Sequence, residues 1–211
     1  MKLDKRGLLI VISGPSGVGK GTVREALFKR EGQSLYYSVS MTTREKRAGE
    51  VEGVDYYFVS KEEFEKRIKE GKFLEYTKFV GNYYGTPLDK LEDALKQGKE
   101  VVLEIEIEGA KQVRKRMKDA VFIFIAPPKM SELKKRLRRR GTEDDKVIEE
   151  RYLKACREIG EAKNYDYIVV NDKVDNAADK IMAIIRSEHA RTARTISSYQ
   201  KLVKEANENA Q

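Results

Sequence analysis

Nine residues near the start of the chain, Gly14-Pro-Ser-Gly-Val-Gly-Lys-Gly-Thr22, have the types and spacing that hold an anion. Two glycines bracket four residues and a lysine follows, which is the pattern of a loop that cradles phosphates. Gly14, Gly17 and Gly19 put no Cβ between the backbone and the ligand. A strand-like run before the loop and a helical pattern after it aim backbone N–H groups and a helix N-terminus at the same point. Lys20 is expected to reach the outer phosphates. Gly14, Pro15, Ser16, Gly17, Val18, Gly19, Lys20, Gly21 and Thr22 thus form the expected triphosphate site.

Gly21 stands where such loops usually carry Ser or Thr, and the hydroxyl comes one residue later at Thr22. That hydroxyl is expected on an inner phosphate, with Mg²⁺ held mainly through phosphate oxygens and water, as its coordination chemistry allows. The variant is similar to the loops of small nucleotide kinases rather than switch GTPases.

Three further groups carry charge. Ser38-Val-Ser-Met-Thr-Thr-Arg44-Glu-Lys-Arg47 sets two arginines beside hydroxyls, and Tyr56 and Tyr84 follow. Forked guanidiniums with hydroxyl donors suit a phosphate. For most tyrosines of this region, half-burial in a sheet is explanation enough. Leu103-Glu-Ile-Glu-Ile-Glu108 carries carboxylates at alternating positions, read here as the end of a strand facing the phosphate loop; alternation alone equally describes the polar face of an edge strand. Lys134 to Arg140 is a basic run in which Arg136 and Arg140 share a helical face, with Arg151 on the next helix. No aromatic residues interleave with that run, which argues against nucleic acid as its ligand. His189 is the one histidine, expected to be solvated in a polar C-terminal helix, so a Ser–His triad or histidine metal site is excluded.

The elements that must position these groups follow from hydrophobic patterning. β-rich apolar runs at Leu8–Ser13, Val101–Ile107, Val121–Ile125 and Tyr167–Val170 alternate with helical patterns at Thr22–Arg30, Leu88–Gln97, Gly109–Lys118, Ser131–Arg139 and Glu143–Lys163. The alternation predicts an α/β fold, a parallel sheet with helices on both faces. Ligands of such sheets sit at the carboxyl ends of the strands, where the phosphate loop lies. Two stretches break the rhythm. Residues 38–91, with a helix at Lys61–Glu70, read as an inserted, partly antiparallel subdomain, and residues 130–164 as a charged helical lid. The core is then 1–37, 92–129 and 165–211, and the polar tail beyond Ile196 is expected to fray.

With 211 residues, 40% hydrophobic, one sizeable core is expected, and a net charge of +8 suits polyanionic ligands. A lone Cys156 excludes a disulfide framework. No apolar stretch approaches the ~20 residues of a membrane span, and no signal-peptide pattern precedes Leu8. A cytoplasmic protein, monomer or homodimer, without membrane or nucleic-acid partners is the expectation.

The combined motifs resemble guanylate kinase. The resemblance runs through Ser38-Val-Ser-x-Thr-Thr-Arg-x-x-Arg-x-Gly-Glu50, Asp55-Tyr-x-Phe-Val-Ser60, Gly81-Asn-Tyr-Tyr-Gly-Thr86, Phe122-Ile-Phe-Ile-Ala-Pro-Pro128, Leu137-x-x-Arg-Gly-Thr142 and Ile168-Val-Val-Asn-Asp172, nearly the whole chain in order. It implies a P-loop kinase fold and transfer of the ATP γ-phosphate to GMP, and to dGMP, with Mg²⁺. It places Ser40, Arg44, Arg47, Tyr56 and Tyr84 around the GMP phosphate, and Glu75, Thr86 and Glu104 at the base. Lys20, Arg44, Arg136, Arg140 and Arg151 would neutralise the reacting phosphates, Asn171 would contact adenine, and Glu106 would order Mg²⁺-bound water. Aspartate is common where Glu104 and Glu106 stand, which leaves their separate roles open. The alternatives are a non-catalytic guanylate-kinase-like interaction module, which typically lacks the loop lysine or its glycines, and a same-fold kinase for another small phosphorylated acceptor.

Overall fold

The computed structural model describes residues 6–31, 35–79, 81–139 and 144–208. In chain order the elements are β1 (Leu9–Ser13), α1 (Lys20–Glu31), β2 (Leu35–Tyr37), β3 (Met41–Thr42), β4 (Tyr57–Phe58), α2 (Lys61–Lys69), β5 (Phe73–Phe79), β6 (Asn82–Pro87) and α3 (Leu88–Lys96). They continue with β7 (Glu100–Glu104), α4 (Ile107–Arg116), β8 (Val121–Ala126), α5 (Met130–Arg139), α6 (Asp145–Ile159), a 3-10 turn at Gly160–Asn164, β9 (Tyr167–Val170), α7 (Val174–His189) and α8 (Thr192–Glu208).

Among the described residues, β1 is the middle of a parallel sheet ordered β2-β7-β1-β8-β9. A strand covered on both faces must be apolar at every position, and all five residues of β1 are buried. Its odd and even residues feed two cores. Leu8, Ile10 and Ile12 pack with Val23 and Leu27 of α1 and Ala178, Ile181 and Ile185 of α7. Leu9 and Val11 pack with Leu91 and Leu95 of α3 and Ala110 and Val113 of α4.

Residues of the 38–91 stretch build a separate sheet ordered β4-β3-β6-β5, in which β6 runs antiparallel to β3 and to β5. Its own core is Met41, Phe64 and Phe73, with Phe64 stacked on Phe73 at 4.3 Å. Ser60 caps α2, its hydroxyl accepting from the Glu63 N–H at 3.2 Å. The β5–β6 register shifts between Phe73 and Tyr76, so the ladder is irregular at Leu74 and Glu75.

Three expectations are corrected. The strand expected over Val101–Ile107 stops at Glu104, and α4 begins at Ile107 with Glu106 as its N-cap residue. Ile107, Ala110 and Val113 recur at helical spacing and bury together, which overrides the local alternation. The tail is helical to Glu208 rather than frayed after Ile196. His189 is half-buried, with Nε2 2.8 Å from Glu100 Oε1, because the end of α7 lies against the start of β7. No described helix is long and apolar enough to cross a membrane.

Candidate nucleotide site

The phosphate loop joins the carboxyl end of β1 to α1, and three of its glycines have positive φ: Gly14, Gly17 and Gly19. At Gly14 glycine is also required by contact, since a Cβ would stand 2.3 Å from the Ile125 carbonyl oxygen; at Gly17 and Gly19 it would press on side chains. A Cβ on Gly17 would stand 2.7 Å from Leu137 Cδ2, and one on Gly19 2.7 Å from Asn171 Nδ2. The Lys20 ammonium donates to the carbonyls of Gly14 at 2.7 Å and Pro15 at 3.4 Å. Burial lowers its pKa, opposed by the carboxylates of Glu106, Glu104 and Glu158.

The structure brings three distant residues onto this loop. Asn171 Nδ2 donates to Val18 O at 2.8 Å. Arg136 reaches the same carbonyl through Nη1 at 3.3 Å and Asn171 O through Nη2 at 3.2 Å. Arg151 Nη2 donates to Ser16 Oγ at 2.9 Å. Leu133 and Leu137 of α5 join the core cluster that contains Val18, so the α5–α6 segment is packed onto the loop. Arg140 lies outside the described residues, and Arg138 is exposed. The basic run is partly spent internally: Lys134 pairs with Glu149 at 2.6 Å.

A second cluster forms on the smaller sheet. Arg44 Nη2 meets Glu50 Oε1 at 2.6 Å, and its guanidinium lies 5.4 Å from the centre of the Tyr56 ring. Tyr56 and Tyr84 meet edge-on with centres 6.0 Å apart. The hydrogen bond from Arg44 holds the Glu50 carboxyl below its ordinary pKa. Glu50 also accepts from the Arg47 backbone N–H at 2.8 Å through Oε2, so it ties both arginines of the motif into one loop. Ser40 is half-buried, its carbonyl accepting from the Tyr57 N–H at 2.9 Å, and the Arg47 side chain is exposed. Glu50 stood inside the motif, three residues after Arg47, but its pairing could not be read from spacing.

Glu75 sits at the irregularity in β5, a place where ladders re-aim a side chain. It is 4% exposed, and Thr86 Oγ1 donates to its Oε1 at 2.7 Å. Burial pushes its pKa to about 7 against the pull of the Thr86 hydrogen bonds. The other oxygen lies over the first turn of α4, where a Cβ on Gly109 would stand 2.6 Å from Oε2. Gly109 carried no motif signal of its own.

Glu104 ends β7 next to Lys20, and burial raises its pKa while Arg24 and Lys20 oppose the rise. Arg24 Nη1 lies 3.6 Å from Glu104 Oε2, and the same guanidinium sits 4.4 Å from the centre of the Tyr37 ring. Glu104 Oε2 is buried without a hydrogen-bond partner. A Cβ at Gly21 would stand 3.9 Å from Glu104 Oε1, so the residue that lacks the usual hydroxyl borders the longer carboxylate. No three His, Cys, Asp or Glu side chains among the described residues are grouped to cage a metal. Glu104 Oε2 thus has an ion-pair partner in Arg24 but no hydrogen bond, and Mg²⁺, which keeps several waters and relies on one or two carboxylates and substrate phosphates, would be met there through water.

A phosphate loop, a paired-arginine cluster and a buried carboxylate are thus carried by one chain. The family model for guanylate kinase matches residues 6–188. The chain belongs to the guanylate kinase family. It is 57% identical over 206 residues to the guanylate kinase of Aster yellows witches'-broom phytoplasma (strain AYWB), covering 97% of this chain and 98% of that one. It is likewise 57% identical over 201 residues to the guanylate kinase of Listeria monocytogenes serotype 4b, covering 95% and 98%. The crystal structure of guanylate kinase from Anaplasma phagocytophilum superposes with a TM-score of 0.73 at 37% identity, covering 91% of each chain. The parallel sheet with flanking helices, and the resemblance read from the motifs, agree with these matches.

Proposed function

We infer that the protein transfers the γ-phosphate of ATP to GMP, giving ADP and GDP. The observation that carries this reading is the buried Glu75–Thr86 pair in a chain with an intact phosphate loop. Guanine offers N1–H and N2–H₂ as donors to a carboxylate; adenine offers a bare N1 and no exocyclic donor beside it. A site with a buried acceptor left unpaired rejects the wrong base by ~10⁴–10⁵. Glu104 is a further acceptor at the base, and Ser40, Arg44, Arg47, Tyr56 and Tyr84 take the GMP phosphate.

The acceptor phosphate is ionised at neutral pH, so its oxygen attacks Pγ without a general base. The bond from Pγ to the β–γ bridging oxygen breaks, and the electrons leave on ADP. The barrier is the meeting of two polyanions, lowered by fixed positive charge and alignment. Lys20, Arg136, Arg140 and Arg151 serve the transferring group, Arg44 serves the acceptor, and Asn171 the adenine side. Mg²⁺ carried by the triphosphate would add charge neutralisation, with Thr22, Glu104 and Glu106 as the residues near enough in sequence and fold to hold it through water. Residues 38–91 then form the acceptor subdomain, 130–164 a lid that excludes water, and 1–37, 92–129 and 165–211 the donor core. The exposed free thiol of Cys156 fits the reducing cytoplasm, where we place the reaction.

ADP release measured with GMP, AMP, UMP or no acceptor tests this. GMP-dependent turnover is expected, with Arg44→Met lowering it far more than it lowers the melting temperature; turnover independent of acceptor, or highest with another nucleotide, refutes the reading.

A further inference from the structure

Helix α6 presents Arg151, Lys154 and Glu158 at intervals of three and four residues, so they share one face. All three meet the phosphate loop or its neighbours. Arg151 Nη2 donates to the Ser16 hydroxyl at 2.9 Å. The backbone N–H of the same serine donates to Glu158 Oε2 at 3.3 Å. Lys154 bridges Glu158 Oε1 at 3.4 Å and Glu106 Oε2 at 3.5 Å, the latter at the N-terminus of α4. The Glu158 side chain is only 11% exposed, and its charge acts on the buried Lys20 ammonium.

A carboxylate thus accepts from a phosphate-loop amide, in the place and role of a phosphate oxygen. No part of the transfer uses it: a negative charge there opposes a triphosphate. We propose that Glu158 is a positioning residue of the donor site, a counter-anion that seats α6 on the phosphate loop and competes with the triphosphate for the Ser16 N–H. When phosphate oxygens take that amide, Glu158 gives way and Arg151, already one side chain from the loop, turns to the phosphates. The structure provides somewhere for the carboxylate to go. Glu158 itself lines a cavity of about 210 Å³, which leaves room for its carboxylate to swing away from Ser16; Lys154 and Arg157 supply positive charge there, beside the carboxylates of Glu106, Glu108 and Glu161. The device opposes premature occupation of the loop while keeping the helix that carries Arg151 in reach. This rests on the reading of Gly14–Thr22 as a triphosphate site.

The test is Glu158→Gln in the full chain, with two measurements. Calorimetry with a non-hydrolysable ATP analogue, and with inorganic tripolyphosphate, is expected to show binding tighter than wild type by roughly tenfold, the scale of one hydrogen bond to a charged group. Hydrogen exchange without ligand is expected to rise in residues 145–159, because the helix loses an anchor. The two effects have opposite sense, which separates the proposal from a structural role: a variant that merely loosens the fold binds more weakly. Looser exchange together with unchanged or weaker affinity overturns the proposal while leaving the triphosphate site intact. Failure of the wild type to bind either probe overturns the triphosphate reading itself and the proposal with it. Glu158→Asp, which keeps the charge but shortens the reach, is expected to fall between Gln and wild type; affinity equal to that of Gln would refute a charge-based competition.

Discussion

Replacing Glu75 by glutamine separates recognition from stability, because the structure makes the two respond in opposite directions. The carboxyl stands at about 7 in the fold against an ordinary value of 4.5, burial being the cause. Its folded value is raised, so the fold binds the proton more tightly than the unfolded chain does. The stabilisation from holding that proton is complete below 4.5 and is lost as pH rises through about 7. At about 1.4 kcal/mol per factor of ten, the ionised carboxylate costs the fold on the order of 3 kcal/mol above that window. Glu75→Gln removes this pH dependence. Its amide keeps an acceptor for the Thr86 hydroxyl but brings an NH₂ group over Gly109, and an unsatisfied buried donor costs about 1–3 kcal/mol. That second cost does not vary with pH. Urea unfolding of both proteins between pH 5 and pH 8 is therefore the assay. The wild type is expected to lose stability relative to Glu75→Gln by up to ~1.4 kcal/mol for each pH unit within the window. Over the same range, calorimetric titration with GMP in buffers of different ionisation enthalpy is expected to show proton release on binding to the wild type, beyond that of the GMP phosphate, and none of this excess in the variant. Parallel stability profiles, or equal proton release, would refute the argument that a buried, largely protonated Glu75 must ionise to read guanine.

Gly109→Ala places a methyl 2.6 Å from Glu75 Oε2 on a helix that alanine otherwise favours. KM for GMP is expected to rise roughly ten- to a hundredfold with KM for ATP unchanged, as read by steady-state kinetics; equal effects on both substrates would refute a role local to the base. Arg24→Met removes the cation 3.6 Å from Glu104 Oε2. A loss of about 1 kcal/mol, or roughly 3 °C in Tm, is expected at neutral pH and should shrink in acid as Glu104 protonates; a deficit of the same size at every pH would refute the pairing.

The sheet strands could be read from the chain because β1 and β8 are buried on both faces, and only apolar residues satisfy that environment. The phosphate loop could be read because its glycines answer a local need, positive φ and close approach. The Glu104–Glu106 segment misled because Leu-Glu-Ile-Glu-Ile alternates like a strand, whereas Ile107 buries with the helix that follows. Arg24, Gly109 and Glu158 were not legible as partners, since their contacts run across the fold and no period or composition marks them; Glu50 pairs within its own loop, but nothing in the spacing marked which carboxylate the arginines would take. His189 looked solvated for the same reason, Glu100 being 89 residues away in sequence.

The first turn of α4 has a consequence for how the two substrates are spaced. Glu106, at its N-cap, faces the Lys20 side, and Gly109, three residues on, floors Glu75. At about 1.5 Å per residue these positions lie roughly 4.5 Å apart along the helix axis. On the proposed assignment, donor and acceptor subsites share a single turn, packed into the core through Ile107, Ala110 and Val113. In that assignment, the lid proposed at 130–164 would open and close without moving this turn. For engineering, a change that moves α4 as a whole would shift both sides together, whereas a local change such as Gly109→Ala acts on the Glu75 side alone.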